Sequence, residues 1–236
     1  MPHAVQTYLD TNNLQDVLAV QKSILQEYKR DIMKYKRDDS SQKLYIDEVF
    51  QLIPSELNAK NKRFILKSLN EKARFASYEN SFLWLRDTGV ALPTYNIEEP
   101  KLPLLLAKCR NLFKLFQSDV GLLTSQFADG IQLKLLGDNQ AINYGAIYEN
   151  VVAQELKAHG FDLYYYNSKR LGELDFVVEY HGNVLPIEVK SGKDYERHNA
   201  LSNVMSSAEY ALPEALVLCN GNISVDGKVV YMPIYM

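Results

Sequence analysis

The first 120 residues carry apolar side chains at the three- and four-residue spacing of amphipathic helices. This spacing predicts three helices, which lie over residues 14–37, 42–53 and 72–88. A turn at residues 54–57 follows the second helix. Short strands are predicted near residues 90–97, 102–106 and 112–117. Helices followed by a small hairpin are the order of a winged helix-turn-helix, so residues 1–120 predict a mainly helical, winged-helix-like domain.

The pattern changes in the last part of the chain, where short apolar runs of strand length appear. Glycines punctuate residues 121–143, which predicts a linker, and residues 144–236 predict an α/β domain. The predicted elements there are helix, three strands, helix and two strands, over residues 144–159, 163–166, 173–180, 184–190, 196–210, 215–219 and 229–232. A tight hairpin turn is expected at His181-Gly182-Asn183. This order is that of the restriction-endonuclease core.

Composition indicates an ordinary globular protein in a reduced compartment. Hydrophobic residues make up 47% of the 236 positions and charged residues 23%, as in ordinary globular proteins. No apolar run approaches the length of a membrane span, and the N-terminus lacks the pattern of a signal peptide. The two cysteines, Cys109 and Cys219, are far apart and fit a reduced compartment. We therefore expect a cytoplasmic protein without a membrane partner.

Charge is distributed unevenly along the chain. Residues 1–139 hold 19 lysines and arginines against 17 acidic residues, whereas residues 140–236 hold 7 against 12. Basic residues cluster where a recognition helix would present its surface, at Lys60, Lys62, Arg63 and Lys67. This cluster predicts contacts with DNA phosphates, although a solvated helical face or a connector between domains would look the same.

Two short segments near the C-terminus carry the candidate chemistry. Because side chains alternate along a strand, Glu188 and Lys190 share one face, while Asp175 lies in the preceding, otherwise apolar strand. Two carboxylates beside a lysine suit metal-assisted phosphodiester hydrolysis with Mg²⁺ or Mn²⁺. Asp175 and Glu188 are predicted metal ligands, the carbonyl of Val189 is a further one, and Lys190 would orient water or stabilise phosphate charge.

Each of these acids also has a simpler interpretation. Asp175 could belong to an alternating exposed face, and Glu188 with Lys190 could be a solvent-exposed pair on a strand. Glu149, near the start of the helix over residues 144–159, is a candidate fourth catalytic residue, yet it could equally stabilise the helix dipole. The sequence contains no phosphate-binding loop of the G-x-x-x-x-G-K type, so ATP hydrolysis by this chain is not expected.

Residues 145–156, 172–176 and 186–192 resemble the C-terminal region of a family of bacterial and archaeal AAA-type ATPases. That region is catalogued as a domain of unknown function and is similar to the PD-(D/E)xK nuclease superfamily. The first half is also similar to the family, through residues 1–9, 53–57 and 78–85. The ATPase module itself is absent from this chain, and Leu174 stands where the superfamily name has proline.

The resemblance implies a nuclease-like core behind a winged-helix-like module. It carries over Asp175, Glu188 and Lys190 as the catalytic motif and Glu149 as the helical acid. The expected function is a metal-dependent DNA phosphodiester hydrolase, with DNA and an AAA-type ATPase module as partners and a homo-oligomer left open. The alternative is a catalytically inactive nuclease-like fold that binds DNA or protein as a regulatory platform for the ATPase.

Overall fold

A computed structural model describes residues 1–34, 40–59, 62–69, 74–137 and 142–235. The chain divides into two compact units, each made of two chain segments. The first unit consists of Met1–Leu92 and Leu115–Asn143. The second unit consists of Pro93–Lys114 and Tyr144–Met236.

The first unit is built from helices whose apolar faces pack together. Its described helices are α1 Pro2–Thr11, α2 Leu14–Lys34, α3 Ser40–Asn58, α4 Phe75–Asp87, α5 Val120–Ser125 and α6 Ile131–Leu136. The side chains of Ile32, Ile53 and Leu85 are completely buried in this unit. Tyr45 of α3 and Tyr78 of α4 pack with ring centroids 4.4 Å apart. No described helix is long and apolar enough to cross a bilayer.

Helical periodicity correctly predicted α2, α3 and α4, but the prediction of a turn at residues 54–57 is wrong. Helix α3 continues through Pro54 to Asn58. Proline removes one backbone donor from a helix, which normally favours termination. Here Leu57 is fully buried and Glu56 accepts a hydrogen bond from the backbone N–H of Ile65 at 2.8 Å. These contacts stabilise the last turn of α3 beyond the proline.

The second unit contains most of a mixed, eight-stranded sheet. Its strands are β1 Ala91–Ile97, β2 Lys108–Gln117, β3 Tyr164–Ser168, β4 Gly172–Tyr180, β5 Asn183–Val189, β6 Ala215–Cys219, β7 Ser224–Asp226 and β8 Val229–Pro233. Their order is β2-β1-β3-β4-β5-β6-β8-β7. Strands β5, β6 and β8 are mutually parallel, and β3, β4 and β5 are antiparallel neighbours. The fold is therefore mixed α/β.

Strands β1 and β2 extend this sheet. The sequence assigned them to the N-terminal module as the hairpin of a winged helix, whereas in the structure β1 pairs in parallel with β3. The strand predicted near residues 102–106 is replaced by a short 3₁₀ helix, Leu104–Ala107. Consecutive leucines there lack the alternation of a half-buried strand.

Helices α7 Gly145–Ala158 and α8 Asn199–Met205 belong to the second unit with the sheet. An apolar cluster joins α8 to the strands, and it includes Leu201, Val204, Val177 and Val217, all of which are fully buried. The predicted helix over residues 196–210 is shorter than expected, because residues 190–198 form a loop before α8. Strands β3, β4, β5, β6 and β8 agree with the sequence prediction to within a few residues.

The hairpin between β4 and β5 positions the candidate site. His181 and Gly182 both have positive φ angles, 47° and 77°, as a two-residue type I′ turn requires. The turn confirms the predicted hairpin and fixes the register, in which Phe176 pairs with Ile187. At the other end of β4, Gly172 has a φ of 100°, and an added Cβ would meet that of Ala200 in α8 at 2.8 Å.

Candidate active site

Strands β4 and β5 bring together three of the predicted catalytic residues. Asp175 and Glu188 each lie one residue beyond the Phe176–Ile187 pair on neighbouring strands. The Oδ2 atom of Asp175 accepts a hydrogen bond from the N–H of Val189 at 2.8 Å. Lys190 places its Nζ 2.8 Å from Oε1 of Glu188. The two carboxylates and the lysine thus meet where β5 ends.

An irregularity in β4 lies at Asp175. Tyr164 pairs with Val177, and two residues further along β3, Tyr166 pairs with Leu174, so β4 uses one extra residue over this stretch. Asp175 lies within that stretch. Extra residues of this kind bend a strand and redirect side chains, and they occur often next to functional sites. Beyond the bulge, Val177 is fully buried, although simple alternation would place it on the same exposed face as Asp175.

Glu188 is a buried carboxylate in an unfavourable environment for its charge. Its residue is 7% exposed, which rules out the solvent-exposed pair as an interpretation. Burial and the neighbouring Asp175 raise the pKa of Glu188 to about 8, although Lys190 acts in the opposite direction. Its Oε2 atom is buried without a hydrogen-bond partner among the residues that the structure describes. Such an atom is suited to a proton or a cation.

Lys114 of β2 is a site residue that was not predicted from the sequence. Its side chain is 0% exposed, and its Nζ lies 2.8 Å from Oε1 of Glu173 and 3.6 Å from Oε2 of Glu149. The ammonium also lies 5.1 Å from the ring centroid of Tyr165. Burial lowers the pKa of Lys114, but Glu149, Asp175 and Glu173 more than compensate and raise it. Lys114 is therefore a charged, enclosed member of an acidic cluster, which also contains Glu149, Glu173, Asp175, Glu188 and Lys190.

A sequence signal for Lys114 did exist. It is the one charged residue in the apolar run Leu112-Phe113-Lys114-Leu115-Phe116, and a lysine in such a run needs an acidic partner if it is buried. Its partner Glu173 is half-buried and also accepts a hydrogen bond from the side chain of Asn167. Strand β2 joins the sheet through β1, and the pairing of β1 with β3 is long-range, so nothing local in the sequence pointed to Glu173.

Glu149 is part of the cluster through Lys114. It lies in α7, is 2% exposed and faces the Lys114 ammonium, so stabilisation of the helix dipole at the surface does not describe it. Its charge also acts on Glu188, whose pKa it raises by a smaller amount than burial and Asp175 do. The structure therefore places Glu149 in the same electrostatic cluster as Asp175 and Glu188, held by a lysine.

Polar side chains border the end of β5. Asn220, which follows β6, accepts a hydrogen bond from the hydroxyl of Tyr148 at 2.9 Å. The amide of Asn220 in turn donates to the carbonyl of Ser191 at 3.5 Å. Parallel strands β5 and β6 end at the same edge of the sheet, which explains why residues 191 and 220 meet there. Neither Tyr148 nor Asn220 was predicted from the sequence to be a site residue.

Asp175 and Glu188 fit one hard divalent cation that takes only a few of its ligands from the protein. Asp175 and Glu188 offer carboxylate oxygens, one of which lacks a hydrogen-bond donor, and Val189 follows Glu188 on the same strand. Mg²⁺ often binds through one or two carboxylates and keeps its remaining positions for water or phosphate. Across the described parts of the chain, no group of three or more histidine, cysteine, aspartate or glutamate residues could enclose a metal ion. A fully protein-coordinated site is not present in that part.

The predicted DNA-contacting residues lie between α3 and α4 in the first unit. Lys60 is outside the described residues. Lys62 and Arg63 are half-buried, and Lys67 is exposed within the short 3₁₀ helix Leu66–Ser68. The described residues 62–69 contain this single turn and no α-helix.

Comparison with known families identifies two matching regions. Residues 1–133, more than half of the chain, match the family described as domain of unknown function DUF8612. The chain belongs to the DUF8612 family. Residues 144–236 match a second family, described as domain of unknown function DUF4143. Neither family is described as a nuclease or as an AAA-type ATPase. No curated protein and no solved structure matches the chain.

Proposed function

We propose that residues 144–236, together with β2, form a metal-dependent phosphodiester hydrolase with DNA as its substrate. The observation that carries the proposal is the pairing of Asp175 with Glu188, whose buried Oε2 lacks a hydrogen-bond partner among the described residues, beside Lys190. A buried carboxylate oxygen of this kind is energetically costly unless it receives a proton or a cation. Metal binding at this position would remove that cost.

The residues have distinct roles in this proposal. Asp175 and Glu188 would hold Mg²⁺ or Mn²⁺ and the Val189 carbonyl would add a ligand. A metal bound there supplies Lewis acidity and lowers the pKa of a coordinated water. Lys190, whose side chain is 27% exposed, would place its ammonium toward the incoming phosphate and stabilise the negative charge that develops there. Glu149 and Lys114 would fix the electrostatic environment of these groups.

The proposal includes a restriction-endonuclease-like core and an ATPase partner. A helix, an antiparallel hairpin, a second helix and a parallel strand follow one another in residues 144–236, which is the order expected for such a core. An AAA-type ATPase as partner rests on the sequence resemblance alone. A basic surface for DNA would come from Lys67 and its neighbours, since residues 140–236 carry more acidic than basic residues.

A non-enzymatic platform is the second candidate function, and one observation favours it. Both lysines of the site already contact acidic side chains, because Lys114 lies beside Glu149 and Glu173 while Lys190 lies beside Glu188. A cluster that is neutralised by its own lysines can stabilise a fold without a metal. In that case residues 144–236 would bind DNA or a protein as a regulatory module and would not cleave.

Asp175→Ala tests the hydrolase proposal. We expect metal-dependent cleavage of plasmid, linear duplex or single-stranded DNA by the wild type, and a loss of at least about 100-fold in the variant because a metal ligand is removed. Asp162→Ala is the matched control, since Asp162 is an exposed carboxylate of the same unit with a side chain that is 78% exposed. Folding of each variant is checked by circular dichroism.

Two results would contradict the hydrolase. One is a wild type that is as inert as Asp175→Ala on every DNA substrate with both Mg²⁺ and Mn²⁺. The other is a wild type whose cleavage survives the Asp175 substitution, which would point to a contaminating nuclease. In the first case, retained DNA or protein binding would favour the platform.

A further inference from the structure

The acidic cluster has two poles that differ in accessibility. At one pole, Asp175 is half-buried, and the Oε2 atom of Glu188 has no hydrogen-bond donor among the described residues. At the other pole, Glu149 and Glu173 face the ammonium of Lys114. The poles are not independent, because the charges of Glu149 and Asp175 act on both Lys114 and Glu188. All of these residues belong to the second unit.

We infer that the Lys114 ammonium permanently occupies a second cation position of this cluster, so that the site takes one divalent ion, at Asp175 and Glu188. The part of this inference that concerns the divalent ion rests on the proposed hydrolase. Two-metal hydrolases place their ions about 3.5–4 Å apart and share carboxylates between them. Here the ammonium of Lys114, a residue of β2, supplies the charge that a second ion would supply.

Burial makes Lys114 a fixed cation. Its side chain has no exposed surface, and its ammonium lies 2.8 Å from a carboxylate oxygen of Glu173 and 5.1 Å from the ring centroid of Tyr165. Because the ammonium is tethered to β2 by its own side chain, a diffusing metal ion does not replace it in the wild type. The ammonium also lies within ion-pair distance of carboxylate oxygens of Glu173 and Glu149, so it offsets negative charge that a metal would otherwise offset.

The inference assigns Glu149 a different role from that of Asp175. Glu149 is 2% exposed and faces Lys114, so it is a positioning residue that holds the ammonium and does not contact the diffusible ion. Removing the ammonium alone would leave Glu149 and Glu173 in a buried environment with uncompensated negative charge. Such charge must be balanced by a proton or by a further cation.

Calorimetric titration with Mn²⁺ tests this inference on the full chain. The wild type is expected to bind one ion. Lys114→Met keeps the apolar stem of the side chain but removes its charge, and it is expected to bind two. The double variant Lys114→Met/Glu149→Gln removes one charge of each sign and is the matched control, with an expected return to one ion. Thermal unfolding in the presence of EDTA reports whether each variant folds.

The stoichiometries of the wild type and Lys114→Met together separate the inference from the hydrolase. One ion in both proteins, or two ions in the wild type, overturns the inference while the hydrolase remains. No ion in the wild type but one in Lys114→Met overturns the metal-dependent hydrolase and supports occupation of a cation position by Lys114. No ion in either protein overturns both.

A failure of Lys114→Met to fold is also informative. If the metal-free variant is unfolded, the inference requires Mn²⁺ to restore its circular dichroism spectrum, because the ion would replace the missing charge. Continued unfolding with Mn²⁺, while the double variant folds and binds one ion, would show that the ammonium has a purely structural role. That outcome overturns the inference and leaves the hydrolase unaffected.

Discussion

Two buried ionisable residues in the second unit have raised pKa values with opposite consequences. The pKa of Glu188 rises to about 8, so near neutral pH its carboxyl group tends to be protonated and uncharged. The pKa of Lys114 also rises, which keeps its ammonium charged despite complete burial. Lys114 therefore keeps its charge, whereas Glu188 can exchange its proton for another cation.

Replacing Glu188 with glutamine should change how stability depends on pH. The ordinary pKa of a glutamate is 4.5 and the folded value is raised to about 8, so the native state binds more protons than the unfolded state in between. The stability associated with this proton is fully present below pH 4.5 and is lost as pH rises through about 8. Glu188→Gln should remove that loss and be more stable than the wild type at pH 9.

Thermal unfolding from pH 5 to pH 9 with EDTA measures this difference. For a chain of this size, each 1 kcal/mol corresponds to a shift of about 2–4 °C in Tm. Glu155→Gln is a control, because Glu155 is exposed on α7. Parallel pH profiles for the wild type and Glu188→Gln would show that Glu188 is not a carboxyl group with a raised pKa.

At the scale of elements, local sequence patterns predicted the helices and turns that local interactions stabilise. The hairpin of β4 and β5 was predicted because His181-Gly182 suits a type I′ turn, and α7 was predicted because its apolar residues recur at helical spacing. Helix α1 was missed because its ten residues hold too few repeats of the helical spacing to be recognised. Helix α3 ran past Pro54 because tertiary burial of Leu57 outweighed the proline.

Packing of β4 against α8 should depend on the absence of a side chain at residue 172. Gly172 has a φ of 100°, and a Cβ there would approach that of Ala200 to 2.8 Å. Gly182 also has a positive φ, 77°, but an added Cβ would have no atom within 4 Å. Backbone strain alone should make Gly182→Ala less stable by about 1 kcal/mol, and the clash should add a further ~1–3 kcal/mol in Gly172→Ala.

Urea denaturation of the two alanine variants separates strain from packing. Because both variants introduce a positive-φ alanine, the difference in their free energies of unfolding reports the contact between β4 and α8. Faster hydrogen exchange in α8 should accompany the larger loss in Gly172→Ala. Equal losses in the two variants would mean that α8 does not pack closely against residue 172.

At the scale of the whole molecule, the sequence indicated Glu149, Asp175, Glu188 and Lys190 but not Lys114 or Glu173. Asp175, Glu188 and Lys190 lie on adjacent strands of one hairpin, so strand alternation was enough to group them. Lys114 reaches the cluster from β2, 61 positions before Asp175, through a sheet whose order could not be read from local periodicity. The bulge at Asp175 likewise depends on the register against β3.

Charge distribution also operates at this scale and leads to a prediction about DNA. Residues 1–139 hold 19 basic and 17 acidic residues, whereas residues 140–236 hold 7 and 12, so phosphate contacts should come from the first part.

Lys67 is exposed there, and Lys67→Glu should weaken binding to a duplex of any sequence and lower the salt slope by about 1. Fluorescence anisotropy at several salt concentrations measures both effects. Lys157→Glu, which makes the same charge change at a half-exposed lysine of α7, should leave the slope unchanged. Equal weakening by both variants would indicate an effect of net charge rather than a phosphate contact at Lys67.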